Sequence, residues 1–265
     1  MKVGRMITSF IENVGNLTIT HAKPVTDMAG IMARTVKAFL RLSFLNFAVM
    51  RALIYELYVT TVHTLPIVIL SALVLGSITV FYLLRILTSL GAYDRIGEYL
   101  IQVMLHELAP IATAIIIMLR SGTATISQLA IMKLHGEFRT LEFLHIPVGE
   151  YVYMPRLAAF AFAGPSSALI FSLVGMIGSF MFLGITQDIT FGNFIDQLVF
   201  DIEPRNLVIG LTKPLAMSVG VGLIAIQRGL SVSKTVAEIP YKLVQGMMFT
   251  IVMIMAVEVV FMIIT

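Results

Sequence analysis

Residues 64–84 read TLPIVILSALVLGSITVFYLL, an uncharged run followed at once by Arg85. Crossing about 30 Å of hydrocarbon at 1.5 Å per residue takes about 20 mostly apolar residues in a helix, because lipid offers the backbone no hydrogen-bond partner. The run is long enough to cross a bilayer, and it sets the scale for reading the rest. Of the 265 residues, 58% are apolar and only 12% are Asp, Glu, Lys or Arg, against roughly 45–50% and about 25% in soluble domains. That composition excludes an ordinary water-soluble enzyme and leaves room for five or six crossings.

Four more apolar blocks follow. Residues 96–119 contain Glu107 and Pro110 and end at Arg120-Ser121-Gly122; residues 157–185 contain Gly164-Pro165, which predicts a kink or a tilt; residues 206–226 carry Lys213-Pro214; residues 243–264 carry Glu258. The expectation is an all-α polytopic membrane protein with about five transmembrane helices, residues 63–265 forming one domain. Residues 1–62 are expected to be amphipathic interfacial helices ahead of it. Val3, Met6, Ile7, Phe10, Ile11 and Val14 recur every three or four positions, and Val36, Phe39, Leu40, Phe44, Phe47 and Leu53 are set among Arg34, Lys37, Arg41 and Arg51. The same stripes would suit helices packed on cytoplasmic protein, since periodicity does not identify the apolar partner.

Lys and Arg fall mainly before the first block, between blocks two and three, and between four and five. The positive-inside rule puts those regions in the cytoplasm, so the amino terminus lies inside and the carboxyl terminus outside. The other side receives Arg85, Arg95 and Arg205, with an acidic loop at 186–205. Charges scattered this way report orientation and give no basis for nucleic-acid binding. Zero cysteines exclude disulfides and thiolate chemistry, and the five histidines form no HxxxH pair.

A carboxylate in mid-membrane costs at least ~2.5 kcal/mol on insertion scales, so Glu107 demands compensation. Pro110 lacks an N–H and frees a carbonyl one turn back. The functional reading is a polar site facing a cavity or a subunit interface; the plainer one is a glutamate held neutral or paired for packing. His106-Glu107 lacks the second His of an HExxH zinc motif. Lys213 and Glu258 can pair, line a path, or snorkel to an interface. Residues 128–147, QLAIMKLHGEFRTLEFLHIP, read as a short amphipathic helix with Leu134, Phe138, Leu141 and His145 on one stripe, suited to docking a partner or to closing the bundle. No GxxxxGK[ST] stretch occurs, so ATP-driven work needs a second polypeptide.

The run His106-Glu107-Leu108-Ala109-Pro110, Arg120-Ser121-Gly122-Thr123-Ala124, Met132-Lys133, Glu137, Leu141-Glu142 and Pro155-Arg156 resembles the MlaE/YrbE permease family in order and spacing. His106 stands where the family usually has Arg, Leu119 where it has Gly, Gln128 where it has an acid, and Glu258 where Asp is common. The resemblance implies an MlaE-like fold and a non-enzymatic permease of an ABC-type lipid transport system. This chain would bind no cofactor itself, ATP being used by a partner ATPase. Implied partners are a second permease copy in a homodimer, a pair of cytoplasmic ATPases, a hexameric MCE-domain ring, sometimes a STAS-domain accessory, and membrane lipid. The implied location is a bacterial inner membrane, with the carboxyl terminus periplasmic.

On that resemblance Lys133, Glu137, Arg139 and Glu142, within a coupling helix at about 128–146, would meet the ATPase. Glu107, His106, Arg120 and Glu258 are the candidates for polar control of a lipid pocket enclosed by spans one, two and five at the dimer seam. The competing expectation is an ion-coupled secondary transporter relaying protons through Glu107, Lys213 and Glu258, although no inverted repeat is visible. An intramembrane hydrolase built on His106 and Glu107 would need a metal or nucleophile set that the sequence does not offer.

Overall fold

A computed structural model describes residues 46–91, 96–187, 204–233 and 235–264, together with Met28, residues 30–33, Thr35 and Lys37. The expected helix at residues 3–14, most of the stretch before Phe47 and the acidic loop lie outside the described residues. All regular structure among the described residues is helical, and five helices are long and apolar enough to cross a membrane.

Helix α1 (Phe47–Thr61) passes through a 3-10 turn (Val62–Thr64) directly into α2 (Leu65–Ser89). The combined run of 43 residues would extend about 65 Å, twice the hydrocarbon thickness, so both halves cannot cross together. Pro66 at the start of α2 suits its position, because the first turn of a helix has no use for that N–H.

The second span departs from expectation. It does not stop at Arg120 but continues to Leu134, through α3 (Ile96–Ile101), a π-helical segment (Gln102–Leu108), α4 (Ala109–Ile117), a second π turn (Met118–Gly122) and α5 (Thr123–Leu134). Arg120 and Ser121 are accommodated by packing against α1, so the drop in hydropathy marks a change of environment without breaking the backbone ladder. The helix ends where Gly136 turns left-handed at φ 75°, a conformation that costs residues with a Cβ roughly 1–2 kcal/mol.

Consequently the expected helix over 128–147 is two pieces: the last turns of α5, then α6 (Glu137–Phe143). Leu144 closes α6. His145 follows at φ 56°, with Ile146 N–H donating to Leu141 O at 2.9 Å and His145 N–H to Glu142 O at 3.0 Å. This is a Schellman ending with His where Gly is usual, and Pro147 prevents continuation. Phe138 and Leu141 pack toward Val152 and Tyr153, while Glu137, Arg139, Glu142, Phe143 and Leu144 remain exposed.

A π turn (Gly149–Tyr153) leads into α7 (Met154–Gln187), a helix that continues through Pro165. Helix α8 (Pro204–Leu230) and, after a 3-10 turn (Val236–Glu238), α9 (Ile239–Ile264) complete the bundle. Helix α7 packs on α1, α2 and α8, while α8 packs on α4, α5 and α9. Spans two, three and four form the interior, whereas α2 and α9 present long apolar faces outward.

With no water to expel between apolar helices in lipid, close approach and hydrogen bonds hold such faces together. The α2–α7 seam uses both. A Cβ on Gly76 would stand 2.2 Å from Gly175 O, Ser77 donates to Gly178 O at 3.1 Å, and Ser179 donates to Gly76 O at 3.0 Å.

Candidate functional site

Lys213 lies nine residues into α8 and is 3% exposed. It does not snorkel. Its Nζ donates to Glu258 Oε1 at 2.6 Å, to the His106 carbonyl at 2.6 Å, and to Glu107 Oε2 at 3.3 Å. Three spans thus converge on one ammonium, and its three donors find three acceptors. The arrangement has a local origin in Pro110. That residue has no N–H to give the carbonyl four positions back, which is that of His106, and Lys213 takes it. The π-helical segment containing His106 and Glu107 alters their presentation relative to a regular helix, a feature frequent at functional sites.

The two carboxylates differ in access. Glu258 is 24% exposed and Glu107 is 54% exposed at the side chain. Glu258 therefore turns inward to the ion pair, contrary to the snorkelling alternative. Glu107 has one oxygen toward Lys213 and much of its surface outside the single-chain bundle. Two carboxylates face one ammonium and lie within hydrogen-bond reach of each other, so one proton shared between them makes the group neutral.

Arg120 does not join this group. It lies thirteen residues after Glu107, about 20 Å along the span. Its Nη1 donates to Val59 O at 2.7 Å and Thr64 Oγ1 at 3.3 Å, pinning α1 to the second π turn. Nearby is a second polar cluster. Arg156, 8% exposed, donates from Nε to Glu56 Oε1 at 2.9 Å and from Nη2 to Gln128 Oε1 at 3.2 Å. Sequence reading placed Glu56 in an interfacial stretch and missed its pairing. The available signal was that Glu56 is the sole acid in FAVMRALIYELYVTT.

The four expected coupling residues also separate. Lys133 sits on α5 and donates from Nζ to Leu230 O at the carboxyl end of α8, a contact that caps a helix. Glu137, Arg139 and Glu142 lie on α6 and are exposed.

A family model described as Permease MlaE matches residues 53–264, from within α1 to the end of α9. The chain belongs to the MlaE permease family. Its relatives include the "Intermembrane phospholipid transport system permease protein MlaE" of Haemophilus influenzae, 24% identical over 178 residues, covering 67% of this chain and 68% of that protein. A "Probable ABC transporter permease protein" of Rickettsia felis is 20% identical over 208 residues, covering 78% and 79%. The chloroplastic protein TRIGALACTOSYLDIACYLGLYCEROL 1 of Arabidopsis thaliana is 24% identical over 181 residues, covering 68% of this chain and 52% of that one. This MlaE-family chain is thus a multi-pass membrane protein of the ABC permease type, the kind of subunit that works with an ATPase carried elsewhere. Nothing in the matches favours a proton-coupled secondary transporter.

Proposed function

We propose that the chain is the membrane subunit of an ATP-driven phospholipid transporter that moves lipid between two membranes. The observation that carries the reading is the family match over 53–264, joined to the phospholipid permease named among its relatives. The geometry supports a route at the convergence of spans two, four and five. A carboxylate as accessible as Glu107 at mid-span is costly against hydrocarbon, so it suits a cavity or a second permease copy. In this reading Lys213 fixes Glu107, Glu258 and the His106 carbonyl on one wall. Helices α2 and α9 supply apolar surface for acyl chains.

The remaining parts follow the same reading. Helix α1, with Phe47, Ile54, Tyr55 and Tyr58 exposed, lies in the headgroup region, where tyrosines are favoured. The α6 end faces the cytoplasm, and a paired ATPase grips α6 through Glu137, Arg139 and Glu142 with exposed Phe143 beside them. Lys133 holds the base of that element to α8, so a push on α6 reaches the helix bearing Lys213. Two permease copies, an MCE-domain ring on the far side and an accessory STAS subunit complete the assembly proposed for a bacterial inner membrane.

The test is reconstitution of the chain with its ATPase in vesicles containing fluorescent phospholipid. ATP-dependent lipid movement is expected, reduced by Glu107→Ala. Movement driven by a proton gradient with the chain alone would overturn the reading.

A further inference from the structure

The seam between α1 and the second π turn encloses a cavity of about 90 Å³, lined by Glu56, Val59, Thr60, Arg120, Ser121 and Gln128 among others. That is room for several waters, and so for one phosphate-sized group. Its polar inventory is unbalanced. Arg120 lines it, Arg156 holds both Glu56 and Gln128 of its lining, and Glu56 is the single carboxylate, leaving one formal positive charge in excess. Its donors are also incompletely used. Ser121 is 3% exposed and its Oγ has no hydrogen-bond partner among the described residues; the same holds for Arg156 Nη1. Arg120 bonds through Nη1 alone among those residues. A buried hydroxyl left unsatisfied in the lining carries a desolvation cost that an acceptor-rich ligand would relieve.

We infer that this cavity binds a phosphate group, with Arg120 and Ser121 as its donors and Arg156 as the charge behind it. The mouth lies by Ala124 and Gln128, both exposed. The site is distinct from the Lys213 cluster, about 20 Å away along the same helix. A phosphodiester of a bilayer lipid and free inorganic phosphate offer the same chemistry. The lipid source rests on the transport reading; the anion site does not.

The experiment uses the full-length chain in detergent. Native mass spectrometry compares retention of phosphatidylglycerol with that of diacylglycerol bearing the same acyl chains, while thermal shifts at constant ionic strength report inorganic phosphate. A photo-crosslinking p-benzoylphenylalanine in place of Ala124 localises the lipid.

Arg120→Gln is expected to lower phosphatidylglycerol retention about tenfold with diacylglycerol unchanged, and Ser121→Ala about threefold, the scale of charge-assisted and neutral hydrogen bonds. Glu56→Gln should raise retention, since it removes the competing carboxylate. Both Glu56→Gln and Arg120→Gln lose some stability under either reading, but a merely structural cluster predicts that neither moves the preference for phosphatidylglycerol over diacylglycerol. If Arg120→Gln does not fold, Arg120→Lys keeps the charge and should retain partial binding. Arg120-dependent protection by inorganic phosphate without lipid capture at position 124 would support the anion site and overturn the lipid source. Unchanged phosphatidylglycerol selectivity in a folded Arg120→Gln chain, with no protection by phosphate, overturns the site. Either result can occur with ATP-driven transport intact, so this inference can fail while the transport reading stands.

Discussion

The Lys213 cluster and the Arg156 cluster are built on opposite plans. Around Lys213 one cation is shared by two carboxylates and a carbonyl, with the cation 3% exposed and Glu107 at the surface. Around Arg156 a single carboxylate serves a buried guanidinium, with Arg120 alongside. The first has more acidic side chains than cations, and the second more cations than acidic side chains. Both join helices that are distant in sequence, and removing the central cation from either leaves an acidic side chain without its partner. They differ in what an unpaired group would face. At Lys213 there is more apolar span on either side, whereas the Arg156 cluster lies by the α1 elbow and the α6 end. A charge's local depth and its count of partners, more than its identity, decide how much stability rests on it.

The largest loss is expected from Lys213→Met, which leaves Glu107 and Glu258 without their cation. The chain should lose about 3–5 kcal/mol, the scale for removing one member of a buried pair, read as a fall in melting temperature in detergent. Adding Glu258→Gln should recover part of that loss; no recovery would show that the two side chains are not energetically coupled.

At the α2–α7 seam, Gly76→Leu should cost about 3 kcal/mol by overpacking against the Gly175 backbone. Unlike the charge variants, its effect should not change with salt. A substitution tolerated within about 0.5 kcal/mol would contradict the close approach of these helices.

Glu56→Gln should cost about 2 kcal/mol, less than Lys213→Met because Glu56 is 17% exposed and Gln128 still accepts from Arg156. Moving the acid, as Glu56→Gln with Gln128→Glu, should restore most of the stability, since position 128 already meets Nη2. A swap no better than the single change would place the value of Glu56 in contacts other than the ion pair.

Ala at Glu137, Arg139 and Glu142 together should leave stability within about 0.5 kcal/mol, as surface changes do, yet abolish copurification with the ATPase. Lys133→Ala should do the opposite, destabilising the α5–α8 contact while sparing that association. A small gain is expected from His145→Gly, which relieves the left-handed residue at the end of α6 and should stabilise by about 0.5–1 kcal/mol in thermal unfolding.

The spans were legible because hydrocarbon imposes one requirement, a helix about 20 residues long, and a local count tests it. Helix ends were less so. The second helix outran its apolar block because Arg120 found acceptors on α1, and the segment after it split because Gly136 adopted a left-handed turn. The candidate site was half legible. Glu107, Lys213 and Glu258 announced themselves as charges in apolar runs, and Pro110 marked the carbonyl that needed a donor. Arg120 and Lys133 look equally suggestive in sequence, but their partners are Val59 and Leu230.

The amino-acid sequence by itself determined that this is a five-span helical permease. Hydropathy is additive along the chain, and the motif order is a one-dimensional signal. Only tertiary structure decided which charge neutralises which. Pairing depends on distances of a few ångströms between helices far apart in sequence, where half a turn of rotation about the helix axis separates Lys213 in an ion pair from Lys213 in lipid.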